Sequence, residues 1–278
     1  MSKERLDVAL VRRGLMESRE KAQAHIMAGV VFRNNQRVDK ASLQVLEEDV
    51  LEIRQTVRPF VSRGGHKLEK ALACFHADVT DCVAMDIGAA TGGFTDVLLQ
   101  AGAKQVYAID VGYGQLDWRL RNDPRVVVME RTNARYLTPE SLPVRPTLCV
   151  MDVSFISIRL ILPTAAMLMG TTGRFFSLVK PQFEAGRDKV GKKGVVRDMQ
   201  VHREVLQEIC AAVHEMDWRV QGVDFSPIKG PEGNIEFLID VVYREVARQE
   251  VEQDQIAQIV AEAHRCLDRG PGTVALNE

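Results

Sequence analysis

The strongest constraint in this 278-residue sequence is Asp86-Ile87-Gly88-Ala89-Ala90-Thr91-Gly92-Gly93-Phe94-Thr95-Asp96. The apolar run Cys82-Val83-Ala84-Met85 before it reads as a buried strand. Val97-Leu98-Leu99-Gln100-Ala101 after it reads as a helix closing on Gly102. A strand that breaks into glycines and resumes as a helix aims backbone N–H groups and a helix N-terminus at a ligand. Glycine spacing narrows the ligand. A dinucleotide site needs G-x-G-x-x-G, whose middle glycine lets pyrophosphate approach the backbone. That position is Ala90 here, and the Lys-Ser/Thr ending of a phosphate-cradling loop is missing.

From this loop onward strands and helices alternate, which predicts a parallel sheet with crossover helices. Strands are expected at residues 105–110, 126–130, 147–152 and 174–180, then near 218–224 and 236–242, with a helix over 201–216. The last two strands have no helix between them and read as an antiparallel edge. Residues 248–268 read as an amphipathic helix packed on the body, and the tail after Gly270 as frayed. Ligands of an open α/β sheet bind beyond the carboxyl ends of its strands. Asp86, Asp110, Asp152 and Lys180 are all expected there, with Asp110 24 residues past Asp86, where cofactor ribose hydroxyls are held. A lysine closing an apolar strand must be paired or functional, and Asp152 is its obvious partner. Lys67 follows the glycine loop Ser62-Arg63-Gly64-Gly65-His66 at a helix start, where a cation opposes the helix dipole.

The first 67 residues hold 13 Lys/Arg against 9 Asp/Glu, whereas the remainder holds 23 against 29. A basic head on an acidic body hints at nucleic acid. Two short helices, stopping at Gly14 and Gly29, precede short strands at 30–32, 36–38 and 49–53. The positions expected to face RNA phosphates are Arg5, Arg12, Arg13, Arg19, Lys21, Arg33 and Arg37. The proline in Arg58-Pro59-Phe60-Val61 makes a short, stiff linker, giving a head over 1–57, a linker over 58–61 and a body over 62–278. The glycine-punctuated stretch 184–198 carries Lys189, Lys192 and Lys193 and reads as a mobile, RNA-contacting flap. The five cysteines are widely spaced with no C-x-x-C, so no metal and no disulfide framework is expected. With no signal-peptide core and no spanning apolar run, the expectation is a cytoplasmic protein with no membrane association.

Two resemblances sharpen this. D-x-G-x-x-x-G-G-F resembles the first motif of S-adenosylmethionine (SAM) methyltransferases, and R-L-D-x-x-L…G…S-R-x-x-A…I-x-x-G-x-V…D resembles the S4 RNA-binding domain. Lys67, Asp152, Lys180 and Glu236 match in order and context the Lys-Asp-Lys-Glu tetrad of FtsJ/RrmJ-type 2′-O-ribose methyltransferases. From end to end the chain resembles the TlyA family, which also carries an older haemolysin label. Its linker differs from the Arg-Ala-Trp-Val of actinobacterial relatives. The resemblance implies an α/β, Rossmann-like SAM-dependent methyltransferase sheet behind a small α+β S4 domain. Its substrate would be a ribose hydroxyl of ribosomal RNA, with cytidine as the nucleotide and no obligate protein partner. It assigns SAM to Asp86, Gly88, Ala89, Gly92, Gly93, Phe94, Asp110, Asn133 and Asp152, catalysis to the tetrad, and RNA also to Arg63. Lys180 would meet the hydroxyl with Asp152 orienting it. Two other classes stay open: an RNA-binding assembly factor with vestigial methyl transfer, and a haemolysin.

Overall fold

The computed structural model describes residues 3–27, 30–53 and 60–268. The chain divides into two compact units, Met1–Pro59 and Phe60–Glu278. Gly29, expected to end a helix, Arg58 and Pro59 of the expected linker, and the tail after Gly270 lie outside the described residues.

In the first unit, β1 (Glu4–Arg5) leads directly into α1 (Leu6–Arg12), and α2 (Arg19–Met27) follows. The sheet strands are β2 (Val31–Arg33), β3 (Gln36–Arg37), β4 (Gln44–Val45) and β5 (Leu51–Ile53). β2 pairs antiparallel with β3 and β5, and β1 pairs with β4. The β1–β4 pair was not foreseen, because two-residue strands carry no periodicity. Asn34 and Asn35 turn β2 into β3 with positive φ at both positions, a geometry asparagine tolerates. Leu6, Leu10, Ala22, Ile26, Val31 and Val45 form the core.

The second unit opens with α3 (Gly65–Cys74), β6 (Val83–Ile87), α4 (Gly93–Gln100), β7 (Gln105–Ile109), α5 (Trp118–Arg121) and β8 (Val126–Met129). Then come β9 (Leu148–Met151), α6 (Leu162–Met169), β10 (Arg174–Val179), α7 (Pro181–Glu184), α8 (Met199–Glu215), β11 (Trp218–Phe225), β12 (Phe237–Tyr243) and α9 (Gln253–Leu267). The sheet order is β11-β12-β10-β9-β6-β7-β8, parallel except for β12. The expected antiparallel edge is therefore present. Alternation along the strands feeds two cores. Met85, Ile87, Phe175 and Val179 face one cluster with α6, α8 and α9, while Ala84, Phe176 and Leu178 face the other with α3 and α4. Strand order reverses between β6 and β9, which opens a crevice at their carboxyl ends. No helix among the described residues is long and apolar enough to cross a membrane.

Phe60 and Val61 are not linker. Phe60 is buried in the α3–α4 core with its ring edge-on to His66, and the Val61 N–H donates to Asp96 Oδ2 at 2.8 Å. An aromatic residue after a proline gains more from burial than from spacing two units.

Candidate active site

A cavity of about 380 Å³ occupies the crevice. Its floor is the β6–α4 turn, where Gly88 and Gly92 adopt left-handed φ values of 85° and 93°. A Cβ on Gly88 would sit 2.9 Å from the Asp152 carbonyl oxygen, so glycine is required both by conformation and by the approach of β9. Asp86, fourth residue of β6, is fully buried. Its Oδ2 accepts from the Thr95 N–H at 2.9 Å and the Thr95 hydroxyl at 2.7 Å, and its buried Oδ1 has no partner among the described residues. Burial pushes this carboxyl up to about 7, with the Thr95 bonds opposing and the Asp152 and Asp110 charges adding to the rise.

Four ionisable side chains meet at the cavity wall. Lys67 is the third residue of α3, Asp152 and Lys180 directly follow β9 and β10, and Glu236 directly precedes β12. Because β12 runs antiparallel, its entrance lies at the end where its parallel neighbours exit. Asp152 Oδ1 is 2.6 Å from Lys180 Nζ and its Oδ2 3.2 Å from Lys67 Nζ, while Glu236 Oε2 is 2.7 Å from Lys67 Nζ. Burial alone would discharge Lys67, but the Asp152 and Glu236 carboxylates outweigh it and raise its pKa. Burial likewise disfavours the Asp152 anion, yet the two lysines hold its pKa below the usual carboxylate value. Lys67 is thus a fixed cation. The cluster pairs two amines with two carboxylates and carries no unbalanced charge.

Of the predicted site residues, Arg63, Lys67, Asp86, Gly88, Ala89, Gly93, Phe94, Asp152, Lys180 and Glu236 line the cavity. Gly92, Asp110 and Asn133 are not among its lining residues. Gly92 packs its bare Cα against Leu116 and Leu120. Asp110 accepts from the Ala90 N–H at 2.8 Å and the Gly112 N–H at 2.6 Å, fixing the floor from behind. Asn133 caps a short 3₁₀ turn through the Arg135 N–H. Six lining residues were not among the predicted ones: Ser62, Gly64, Ala90, Thr91, Ser154 and Pro231. The Ser154 hydroxyl is 3.0 Å from Lys180 Nζ, and nothing in a lone serine three places past a strand announces that contact. Phe155 beside it is 91% exposed with a left-handed φ of 65°, a strained posture for an aromatic, and tilts against Phe183.

The expected flap is pinned rather than free. Val195 and Val196 are buried, the Asn234 side chain bonds the Val196 N–H and the Gly194 carbonyl, and Lys189 pairs with Glu204. Lys192 and Lys193 remain exposed.

In the head, several predicted phosphate ligands do other work. Arg13 donates to the Asp49 and Leu46 carbonyls, and Arg33 pairs with Asp49. Arg12 is held by Glu4 and Glu47, and Lys21 pairs with Glu17. Arg5 and Arg19 share Asp7, while Arg37 is exposed with no ion-pair partner among the described residues.

Comparison with known proteins agrees with the architecture. Residues 60–243 match the FtsJ-like methyltransferase family and residues 4–51 the S4 domain. YqxC of Bacillus subtilis, provisionally named an rRNA methyltransferase, is 50% identical over 95% of both chains. The 16S/23S rRNA (cytidine-2′-O)-methyltransferase TlyA of Mycobacterium tuberculosis is 43% identical, covering 96% of this chain and 98% of its own. A solved structure from Streptococcus thermophilus, provisionally described as a hemolysin, superposes with a TM-score of 0.75 at 45% identity, covering 96% of this chain and 98% of that one. With its fold, glycine turn and full-length relatives in agreement, the chain belongs to the FtsJ-like methyltransferase family, as an S4-bearing member of the TlyA type.

Proposed function

We propose that this chain transfers a methyl group from SAM to the 2′-hydroxyl of a ribosomal-RNA ribose, with cytidine the nucleotide, as its TlyA relatives are named for. One observation carries the reading: the cavity floored by the glycine turn is walled by the Lys67–Asp152–Lys180–Glu236 cluster. The floor suits a cofactor whose amino-acid end carries an ammonium donor, because Asp86 lines that space and its buried Oδ1 has no partner among the described residues. Asp86, Gly88, Ala89, Gly93 and Phe94 would hold SAM, with Asp110 steadying the turn behind them. When bound, SAM supplies an electrophilic methyl group already activated by its sulfonium.

The protein's task is then to deprotonate a weak acid without water. Lys180 stands at the hydroxyl, where its amine takes the proton or, as ammonium, steadies the developing alkoxide. Asp152 and the Ser154 hydroxyl hold that amine from two sides, so it arrives oriented. Lys67 is locked by two carboxylates and acts as a fixed charge that positions the ribose. Phe155, next in the chain to the lining residue Ser154, offers the base an exposed aromatic face. The S4 unit, with Arg5, Arg19 and Arg37, docks structured RNA, and in the second unit Arg63, which lines the cavity, and the exposed Lys192 and Lys193 add phosphate contacts.

The test is single-turnover transfer of labelled methyl to deproteinised ribosomal RNA. Lys180→Ala is expected to keep its melting temperature and SAM affinity while turnover falls at least about a hundredfold. Lys180→Arg should not rescue it, because a guanidinium cannot give up its proton. A stable Lys180→Ala chain with normal turnover would end this mechanism.

A further inference from the structure

The head contains one charge cluster built differently from the rest. Asp7, the second residue of α1, is completely buried, yet its carboxylate takes four side-chain hydrogen bonds. Arg5 Nε reaches Oδ1 at 2.9 Å and Arg5 Nη2 reaches Oδ2 at 3.1 Å. Arg19 Nη2 and Gln23 Nε2 reach the same Oδ2 at 3.0 and 2.8 Å. One oxygen thus gathers donors from two guanidiniums that start on different elements, β1 and α2. Their outer edges remain in water, since the Arg5 and Arg19 side chains are 43% and 57% exposed. Arg5 Nη1 and Arg19 Nη1 and Nε have no hydrogen-bond partner among the described residues.

Charge balance separates this cluster from its neighbours. Arg12 is met by two carboxylates, and Lys21 and Arg33 by one each. Among the described ion pairs of the head, only at Asp7 do guanidiniums outnumber carboxylates. Two like charges brought to one point repel, and a carboxylate of zero exposure is what holds them there. A phosphodiester supplies what the pair lacks: an anion with two non-bridging oxygens, suited to forked guanidinium donors.

We propose that Asp7 is a positioning residue that pre-assembles Arg5 and Arg19 into a double-guanidinium clamp for one phosphate of the RNA backbone. The clamp rests on the RNA-methylating reading above and deepens it. Arg5 and Arg19 enter the complex with their rotamers already fixed, so ordering costs are met in the free protein.

Asp7→Asn separates this from simple charge counting, because it adds one positive charge to the head. Counting alone predicts tighter RNA binding and a steeper salt dependence. The clamp predicts the reverse: about tenfold weaker binding and a log–log salt slope shallower by about one. The full-length chain is titrated with purified large-subunit ribosomal RNA by filter binding between about 50 and 200 mM KCl. A melting curve and a calorimetric SAM affinity accompany each variant. Should Asp7→Asn fail to fold, the Arg5→Lys/Arg19→Lys double variant keeps every charge but loses the fork, and it too should bind about tenfold more weakly. Unchanged or tighter binding by either folded variant overturns the clamp. A wild-type chain that binds SAM but no RNA overturns the RNA reading and the clamp together, so the two failures are distinguishable.

Discussion

At the scale of single residues, Asp86 couples the cofactor floor to stability. Its carboxyl ionises near 7 in the folded chain against 3.8 for the ordinary group. Above pH 3.8 the unfolded chain gives up this proton while the folded chain keeps it, so folding stability falls as pH rises towards 7 and then levels. The slope contributed approaches roughly 1.4 kcal/mol per pH unit inside that window. Asp86→Asn carries no such proton, so the stability difference between variant and wild type should grow in the variant's favour between pH 5 and 7. Denaturant melts at several pH values would show it, and a parallel offset across that range would refute it. Gly88→Val should fail differently. Its side chain meets the Asp152 carbonyl and Val153 in a left-handed conformation, so SAM affinity measured by calorimetry should drop at least tenfold while head-unit RNA contacts persist.

At the scale of elements, Phe60 is the anchor of α3. It fills the space left by Gly65, whose missing Cβ would lie 2.6 Å from the Phe60 Cβ, and Phe60→Ala should cost about 3 kcal/mol. Chemical denaturation of the full chain checks this, and a loss under about 1 kcal/mol would return Phe60 to the role of spacer. The same stretch marks where the sequence could be read and where it could not. Asp152 and Lys180 were legible because a charge closing an apolar strand has few explanations, whereas Glu236 was reached only through the resemblance to the Lys-Asp-Lys-Glu tetrad. The intramolecular partners of the head arginines were not legible. Arg12 finds Glu47 and Arg13 finds Asp49 across 35 and 36 residues, and no local pattern reports such pairings. Asn133 has a structural duty that the sequence did not announce: its side-chain oxygen accepts from the Arg135 N–H and caps a turn. The mobility expected of the 184–198 stretch was misjudged because Asn234, 38 residues beyond Val196, supplies the bond that pins it.

At the scale of the whole molecule, the two units divide the labour of holding RNA and doing chemistry. Removal of residues 1–57 should leave SAM affinity unchanged and abolish methylation of structured ribosomal RNA, provided a melting curve shows the remaining unit folded. Normal methylation of ribosomal subunits by the truncated chain would show the head dispensable. Mapping 2′-O-methylation in ribosomal RNA from a strain lacking the protein would identify the nucleotide. The electrical neutrality of the Lys67–Asp152–Lys180–Glu236 cluster has a kinetic counterpart. Added salt screens exposed charges and leaves short buried pairs nearly untouched. Raising ionic strength should therefore increase KM for RNA steeply while kcat at saturating RNA stays nearly level, so that salt governs how often the enzyme meets its substrate and hardly at all what it does once there.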